Sequence, residues 1–397
     1  MNNLSENIRI LQIPSWYLPE GGQFCKDQAL FLKQKGVEVH ILANVVLPWT
    51  KYKLKAFTAP WKSFVAVEDG ILTYRYYYRR LPKQNKANLV GWCNRTVKLF
   101  DEYVEKYGKP HLIHVHSSMW GGYAAYLIKE KYGVPYVLTE HRGVFGMRSS
   151  FARDCFIPMY TPFLQKGLSN ASYIIPVSDQ QIPKIKEFLT VDVPIKTISN
   201  ILDTAFFHYL PREPKENFTF VTVNGYYEVK GYDILLPAFD LLCDKVKNVC
   251  LRMIGENFEQ KAFQEILSRC RNKDKITFTG WLEPDGVLDE LKKADAFVMS
   301  SRVEAQPISI LEAISTGLPV VCTEVVPEAV VSQSEGYRVP VEDAQALASA
   351  MMEMITNRDR FDAKSISAHA ASVAGPEVVT ESLISIYESV LSSVSYK

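Results

Sequence analysis

The sequence predicts an α/β protein built from two successive doubly wound domains. Three observations carry that reading. Short apolar runs of strand length alternate with segments of helical periodicity along the chain. The alternation breaks at a crossing marked by the prolines and charges of residues 211–216, and then begins again. The 397 residues also exceed what one ordinary core holds.

The composition, 47% hydrophobic and 22% charged, is that of a globular protein. No apolar run reaches the roughly 18 residues of a membrane-spanning helix. Residues 1–7 lack the charged-then-apolar form of a secretory signal. The seven cysteines contain no C-x-x-C pair, which suits reduced thiols and predicts a cytoplasmic location. The net charge of +1 hides an asymmetry. Residues 1–200 carry 26 Lys and Arg against 15 Asp and Glu, and residues 201–397 carry 19 against 29. Either the first half meets something anionic or the two halves present complementary faces.

In the first half, Ile8–Pro14 reads as a buried strand and Ser15–Gly22 as a loop. A helix with Phe24, Ala29, Leu30 and Leu32 on its apolar side follows, ending at Lys35-Gly36, and Val37–Leu42 is the next strand. Gly21-Gly22 is not a dinucleotide fingerprint, but it falls where a parallel sheet binds ligands. Residues 44–86 interleave bases and aromatics: Trp49, Lys51, Tyr52, Lys53, Lys55, Trp61, Lys62 and Tyr74–Arg80. The first reading is an edge strand, Ile71–Tyr78, with a solvated basic flank. Contact with an acceptor or an anionic membrane through Arg75, Arg79 and Arg80 ranks second, and nucleic acid is not expected. A helix over about 89–107 leads to the strand holding His114 and His116, which share a face. A metal pair is conceivable there, yet no third ligand stands at a recognisable spacing. Helix 120–132, strand 135–141 ending in His141-Arg142, helix 155–168, strand 173–177, helix 180–189 and strand 195–198 complete the domain.

In the second half, strand Phe218–Val223 enters the loop Asn224–Gly231. Lys230 stands before a helix through Leu235, Leu236 and Phe239, where a cation opposes the helix dipole unless it faces an anion. Strand 249–256 ends in Gly255, and helix 258–270 and strand Ile276–Gly280 follow. Strand 295–299 then leads into a loop with Glu304 and a helix opened by Pro307 and closed at Gly317. Glu312 lies within that helix, whose first amides form an anion site beside two acids. Strand 320–322, a hairpin-like Gly336–Val339, helix 343–356 and an amphipathic helix from about 377 to 391 end the pattern.

Several of these stretches together resemble the retaining GT-B glycosyltransferases of group 1, or family 4. The resemblance rests on Glu304-x7-Glu312 with Thr316–Val321, on Val223–Gly231 with Lys230, and on Ile254–Glu256, Phe278–Gly280 and Ala294–Ala296. In the first half it rests on Gly21-Gly22, His114–His116, Val137–His141, Val177-Ser178 and Asn200–Phe207. It implies two Rossmann-like domains facing a central cleft, with the last helix returning to the first domain. The boundaries expected are 1–205 for an acceptor-binding domain, 206–376 for a nucleotide-sugar domain and 377–397 for the final helix.

The function implied is transfer, with retention, of a hexose-type sugar from a nucleotide-diphosphate sugar to a saccharide or lipid-linked saccharide in surface polysaccharide or glycolipid synthesis. No metal or other cofactor is expected, and peripheral contact with the cytoplasmic membrane face is. Lys230 would neutralise the diphosphate, the amides of Ile308 and Ser309 would bind phosphate, and Glu312 would hold the ribose. Glu304 would contact the transferred sugar, Gly21, Gly22, Gly225 and Gly255 would line the donor, and Phe278 to Gly280 would border the base. His141 would sit by the reacting carbon, with His116 and Arg142 toward the acceptor. Members often carry Arg where this chain has Gly225, so Arg302 or Arg142 is expected to supply the missing charge. Pro307 has no N–H to offer phosphate. Two rivals stay open: a nucleotide-sugar epimerase of similar fold, and a non-catalytic protein binding an anionic glycan or membrane through a decayed donor site.

Overall fold

The computed structural model describes residues 8–19, 21–48, 58–80, 86–146, 158–213 and 215–395. The expectations for Trp49, Lys51, Tyr52, Lys53, Lys55, the start of helix 155–168 and Pro214 fall outside them. The chain divides into two compact units. Residues up to Ile201 together with those from Val379 form unit 1, and Leu202–Val378 form unit 2.

Unit 1 is a seven-stranded sheet of β1 (Arg9–Pro14), β2 (Glu38–Pro48), β3 (Phe64–Glu68), β4 (Ile71–Arg80), β5 (Leu112–His116), β6 (Tyr136–Glu140) and β7 (Tyr173–Pro176). Its order is β3-β4-β2-β1-β5-β6-β7, parallel except where β3 pairs antiparallel with β4. β5 and β6 are buried at every residue, as central parallel strands covered on both faces must be. Helices Lys86–Tyr107, Tyr123–Tyr132 and Thr161–Ser169 contribute to one core, and helix Gln23–Gln34 to another. Helix Pro376–Ser395 joins the latter through Val379, Leu383, Ile386, Tyr387 and Val390, one stripe at helical spacing.

Three readings of this unit are corrected. Ile71–Arg80 is not an edge strand, because β3 lies outside it. Arg75 is only 7% exposed; it pairs with Glu68 and donates to the Leu18 carbonyl at 2.9 Å, so it is no surface cation. Arg79 lies over the Trp61 ring at 3.6 Å. The expected strand at 195–198 is a single bridge, Ile174 to Ile195.

Unit 2 is a six-stranded parallel sheet of β8 (Phe218–Val223), β9 (Val249–Ile254), β10 (Ile276–Gly280), β11 (Ala296–Met299), β12 (Val320–Thr323) and β13 (Gly336–Val339), ordered β10-β9-β8-β11-β12-β13. β13 is therefore a parallel edge strand and not half of a hairpin. Gly336 permits that pairing, since a Cβ there would stand 1.8 Å from the Val320 carbonyl oxygen. The segment read as a linker at 211–216 is tied to this unit by Arg212, which donates to the carbonyls of Ala294, Leu210 and Thr316. Two helices had no counterpart in the sequence reading, Pro284–Lys292 and Ala363–Ala374.

The six described cysteines are unpaired. No described helix is long and apolar enough to cross a membrane.

Candidate active-site residues

Ligands of doubly wound sheets gather at the carboxyl ends of the strands where the order reverses. In unit 2 that point lies between β8 and β11, and three of the predicted loops leave from it or beside it. The loop after β8 and the end of β9 cross at van der Waals contact. Gly255 has φ 148°, and a Cβ on it would meet the Asn224 carbonyl at 2.5 Å. A Cβ on Gly225 would stand 2.9 Å from the Glu256 carbonyl oxygen, a distance real side chains essentially never show. The local crossing thus leaves no room for a side chain at position 225.

The loop turns through Glu228–Lys230 to Gly231, whose φ of 67° and close approach to the Ser300 carbonyl both require glycine. Ser300 Oγ donates to the carbonyls of Lys230 and Gly231, each at 2.9 Å, and the Arg302 amide donates to Val229 O at 2.7 Å. This stitching brings Lys230 Nζ to 2.7 Å from Glu304 Oε1, with both side chains largely buried. The lysine expected at a phosphate and the glutamate expected at a sugar are therefore partners. Arg302 does not supply the missing charge. It grips Asp233 with both terminal nitrogens, pairs with Glu342 at 3.1 Å and donates to Glu228 O.

Helix Ile308–Ser315 starts at Pro307 with no side-chain cap, leaving its first amides directed out of the helix. Glu312 lies one turn further on, half-buried. Leu318 N–H donates back to Ala313 O once Gly317 has turned at φ 84°. At the end of β10, Phe278 stands on Phe258 and Phe263 at 5.3 and 5.8 Å and remains 37% exposed. Trp281, just beyond Gly280, is 62% exposed and was not singled out from the sequence.

In unit 1 the order reverses between β1 and β5. Gly22, at φ 84° and with its Cβ position 2.5 Å from the Trp16 carbonyl, turns the chain into helix Gln23–Gln34, which is likewise uncapped by any side chain. Gly21 precedes it at φ 92°. The turn brings Phe24 face to face with His141, ring centroids 3.9 Å apart. His141 is held from both nitrogens: Nδ1 is 2.8 Å from Asn200 Oδ1 and Nε2 is 3.0 Å from His116 Nδ1. His114 stacks on His116 at 4.5 Å and bonds Tyr387 and Thr139 at 2.6 and 2.7 Å. Burial pushes all three imidazoles toward the neutral form, His114 and His141 down to about 3 and His116 well below its usual value.

His116 is 1% exposed, so its expected direct contact with an acceptor is corrected: it touches His141. No described group of three or more His, Cys, Asp or Glu is placed to hold a metal ion. Arg142 contributes backbone contacts, its amide to Glu140 Oε1 at 2.9 Å and its carbonyl to Gln181. Glu140, wholly buried, also accepts from Ser118 N and Oγ at 2.8 and 2.5 Å.

These features agree with the comparisons with known proteins. Residues 21–206 match the model of Glycosyltransferase Family 4, and residues 217–357 that of Glycosyl transferases group 1. The chain belongs to this glycosyltransferase family. It is 27% identical over 205 residues to a Salmonella typhimurium protein named as the colanic acid biosynthesis glycosyltransferase WcaL, covering 49% of this chain and 50% of that one. The chain thus spans about half the length of that relative. It is 25% identical over 359 residues to a Bacillus subtilis protein named as the teichuronic acid biosynthesis glycosyltransferase TuaC, covering 85% and 86%. The solved sucrose-phosphate synthase of Thermosynechococcus elongatus matches with a TM-score of 0.81 at 18% identity, over 98% of this chain and all of that one. At that identity the likeness speaks for the fold, two parallel-sheet Rossmann-like domains of GT-B type.

Proposed function

We propose that the protein transfers a hexose-type sugar, with retention and without a metal, from a nucleotide-diphosphate sugar to a saccharide or lipid-linked saccharide. The setting is surface polysaccharide or glycolipid synthesis at the cytoplasmic face of a membrane. The names of the two relatives support the polysaccharide setting. The observation that carries the reading is the Lys230–Glu304 pair, at the order reversal of unit 2 where ligands of such sheets bind, with the uncapped helix at Ile308 leaving from the same loop.

The chemistry follows from those groups. Cleaving the sugar–phosphate bond puts negative charge on the departing diphosphate, and fixed donors stabilise it best. A diphosphate competes with Glu304 for Lys230, while the amides of Ile308 and Ser309 take phosphate oxygens. Glu304, released or shared, faces the sugar, and Glu312 accepts from the ribose hydroxyls. Gly225 and Gly255 let backbone pass close to the donor, and Phe278 with Gly280 flanks the base. For unit 1 the family resemblance implies a part for Gly21 and Gly22 at the diphosphate, for His141 at the reacting carbon and for Arg142 on the acceptor side.

A thermal-shift panel of nucleoside diphosphates and their sugars tests this reading. A ligand at 100 times its Kd stabilises by about 2.7 kcal/mol, and the shift is expected to vanish in Lys230→Ala. Product analysis with donor alone separates transfer from epimerisation. A wild-type protein that no nucleotide stabilises would favour the non-catalytic reading, to which the glycine at position 225 lends its one observation.

A further inference from the structure

Asn200 and His116 have no role in the reading above, yet they occupy both nitrogens of the residue it places beside the reacting carbon. Asn200 Oδ1 accepts, so His141 Nδ1 carries the proton and His141 Nε2 is the bare nitrogen. His116 must then donate through its Nδ1, across 3.0 Å. That leaves His116 Nε2 as a lone pair, buried and without a partner. The opposite polarity would strand an N–H there instead, which folded proteins tolerate less than a bare acceptor. Phe24 covers one face of His141, and His116 and then His114 stack beyond it.

We infer that His116 and Asn200 are positioning residues that lock His141 as its neutral Nδ1–H tautomer, so that an uncharged ring faces a cationic sugar during transfer. This rests on the proposed function only in what the ring faces. An imidazolium in that place would repel an oxocarbenium-like state, and a ring with a free nitrogen could trade protons with the acceptor. With both nitrogens spoken for, His141 does neither. The titratable and charged groups around it are His116 and His114 on β5, and Glu140 and Arg142 on its own segment. Glu140 is engaged by Ser118 and the Arg142 amide. Phe24, from helix Gln23–Gln34, brings no charge.

Nitrogen-15 spectra of protein labelled at its seven histidines, recorded between pH 5.5 and 8 beside the pH profile of kcat/KM, test the assignment. The wild type is expected to show His141 protonated at Nδ1 alone throughout, and no histidine limb in the profile. His116→Ala admits water to Nε2, so His141 should titrate near the ordinary value of about 6.5 and transfer should lose about tenfold for each pH unit below it. His116→Gln, which can still donate, should restore the flat profile. Asn200→Asp, which keeps the acceptor and adds charge, should make His141 titrate if the alanine variant does not fold. A wild-type His141 protonated at Nε2, or titrating near 6.5, overturns the inference, as does an Asn200→Asp spectrum unchanged from wild type. Failure of transfer with the wild-type spectrum as expected counts against the proposed function and leaves the tautomer standing.

Discussion

The strand exits of unit 1 and unit 2 are built on one plan and filled with opposite chemistry. Each lies where a parallel sheet reverses its order, each is entered through glycines with positive φ, and each is followed by a helix that no side chain caps. In unit 2 the space is given to charge, an ammonium against a carboxylate at 2.7 Å. In unit 1 three imidazoles and a phenyl ring stack with their titration suppressed. The contrast teaches that a doubly wound sheet supplies only a place with free amides. The side chains at the exits decide whether that place holds charge or excludes it.

The largest effect should come from the charged exit. Lys230→Ala removes the cation and leaves Glu304 nearly buried without a partner. Transfer is expected to fall by about 10²–10³, the usual cost of one fixed transition-state donor, and Glu304→Ala to fall comparably. Initial rates of sugar transfer measure both, and wild-type rates in the pair would break the comparison.

The uncharged exit should show in acid. The folded values of His114 and His141 lie near 3 and the unfolded value near 6.5. The unfolded chain therefore takes up protons first, and the stability these rings contribute, present in full above about pH 6.5, is lost as pH falls toward 3. The loss is on the order of a few kcal/mol per ring. Four of the five described tryptophans, Trp16, Trp61, Trp92 and Trp120, belong to unit 1. Tryptophan fluorescence should accordingly report acid unfolding before amide exchange in unit 2 accelerates; simultaneous loss would blur the distinction.

Tyr387→Phe takes a hydroxyl from buried His114 and should cost about 1–3 kcal/mol, read from urea midpoints, with exchange rising in helix Pro376–Ser395. The smallest effect is expected from Arg302→Gln, which loosens the loop carrying Lys230 by roughly 1 kcal/mol. Its Kd for a nucleoside diphosphate should weaken a few-fold with unit 1 unchanged.

Much of this was legible in the sequence because apolar runs and strand-end residues are local signals. The placement of Lys230, Glu304, Glu312, Gly22 and His141 at strand exits or helix starts follows from run length and glycine position alone. The pairing of Lys230 with Glu304 does not, since 74 residues separate them and only the sheet order brings them together. Arg302 was legible as a cation near the site but not as one already claimed by Asp233 and Glu342. β3 escaped because Phe64–Glu68 is short and only partly buried. Helix Ala363–Ala374 escaped because its alanines and serines blur the apolar period, although Asp362, which caps the amides of Lys364 and Ser365, was a readable start signal. Gly336–Val339 was misread because two close apolar runs suggest a hairpin, and only the long turn at 324–335 lets them lie parallel.

Helix Pro376–Ser395 has a consequence for how the molecule is made. Unit 1 begins at the front of the chain, but its second core lacks Val379, Leu383, Ile386, Tyr387 and Val390 until residue 390 has left the ribosome. Unit 2 is complete by residue 378. The unit that starts first therefore finishes last, and His114 waits for its hydroxyl partner until after every residue of the other unit has been made.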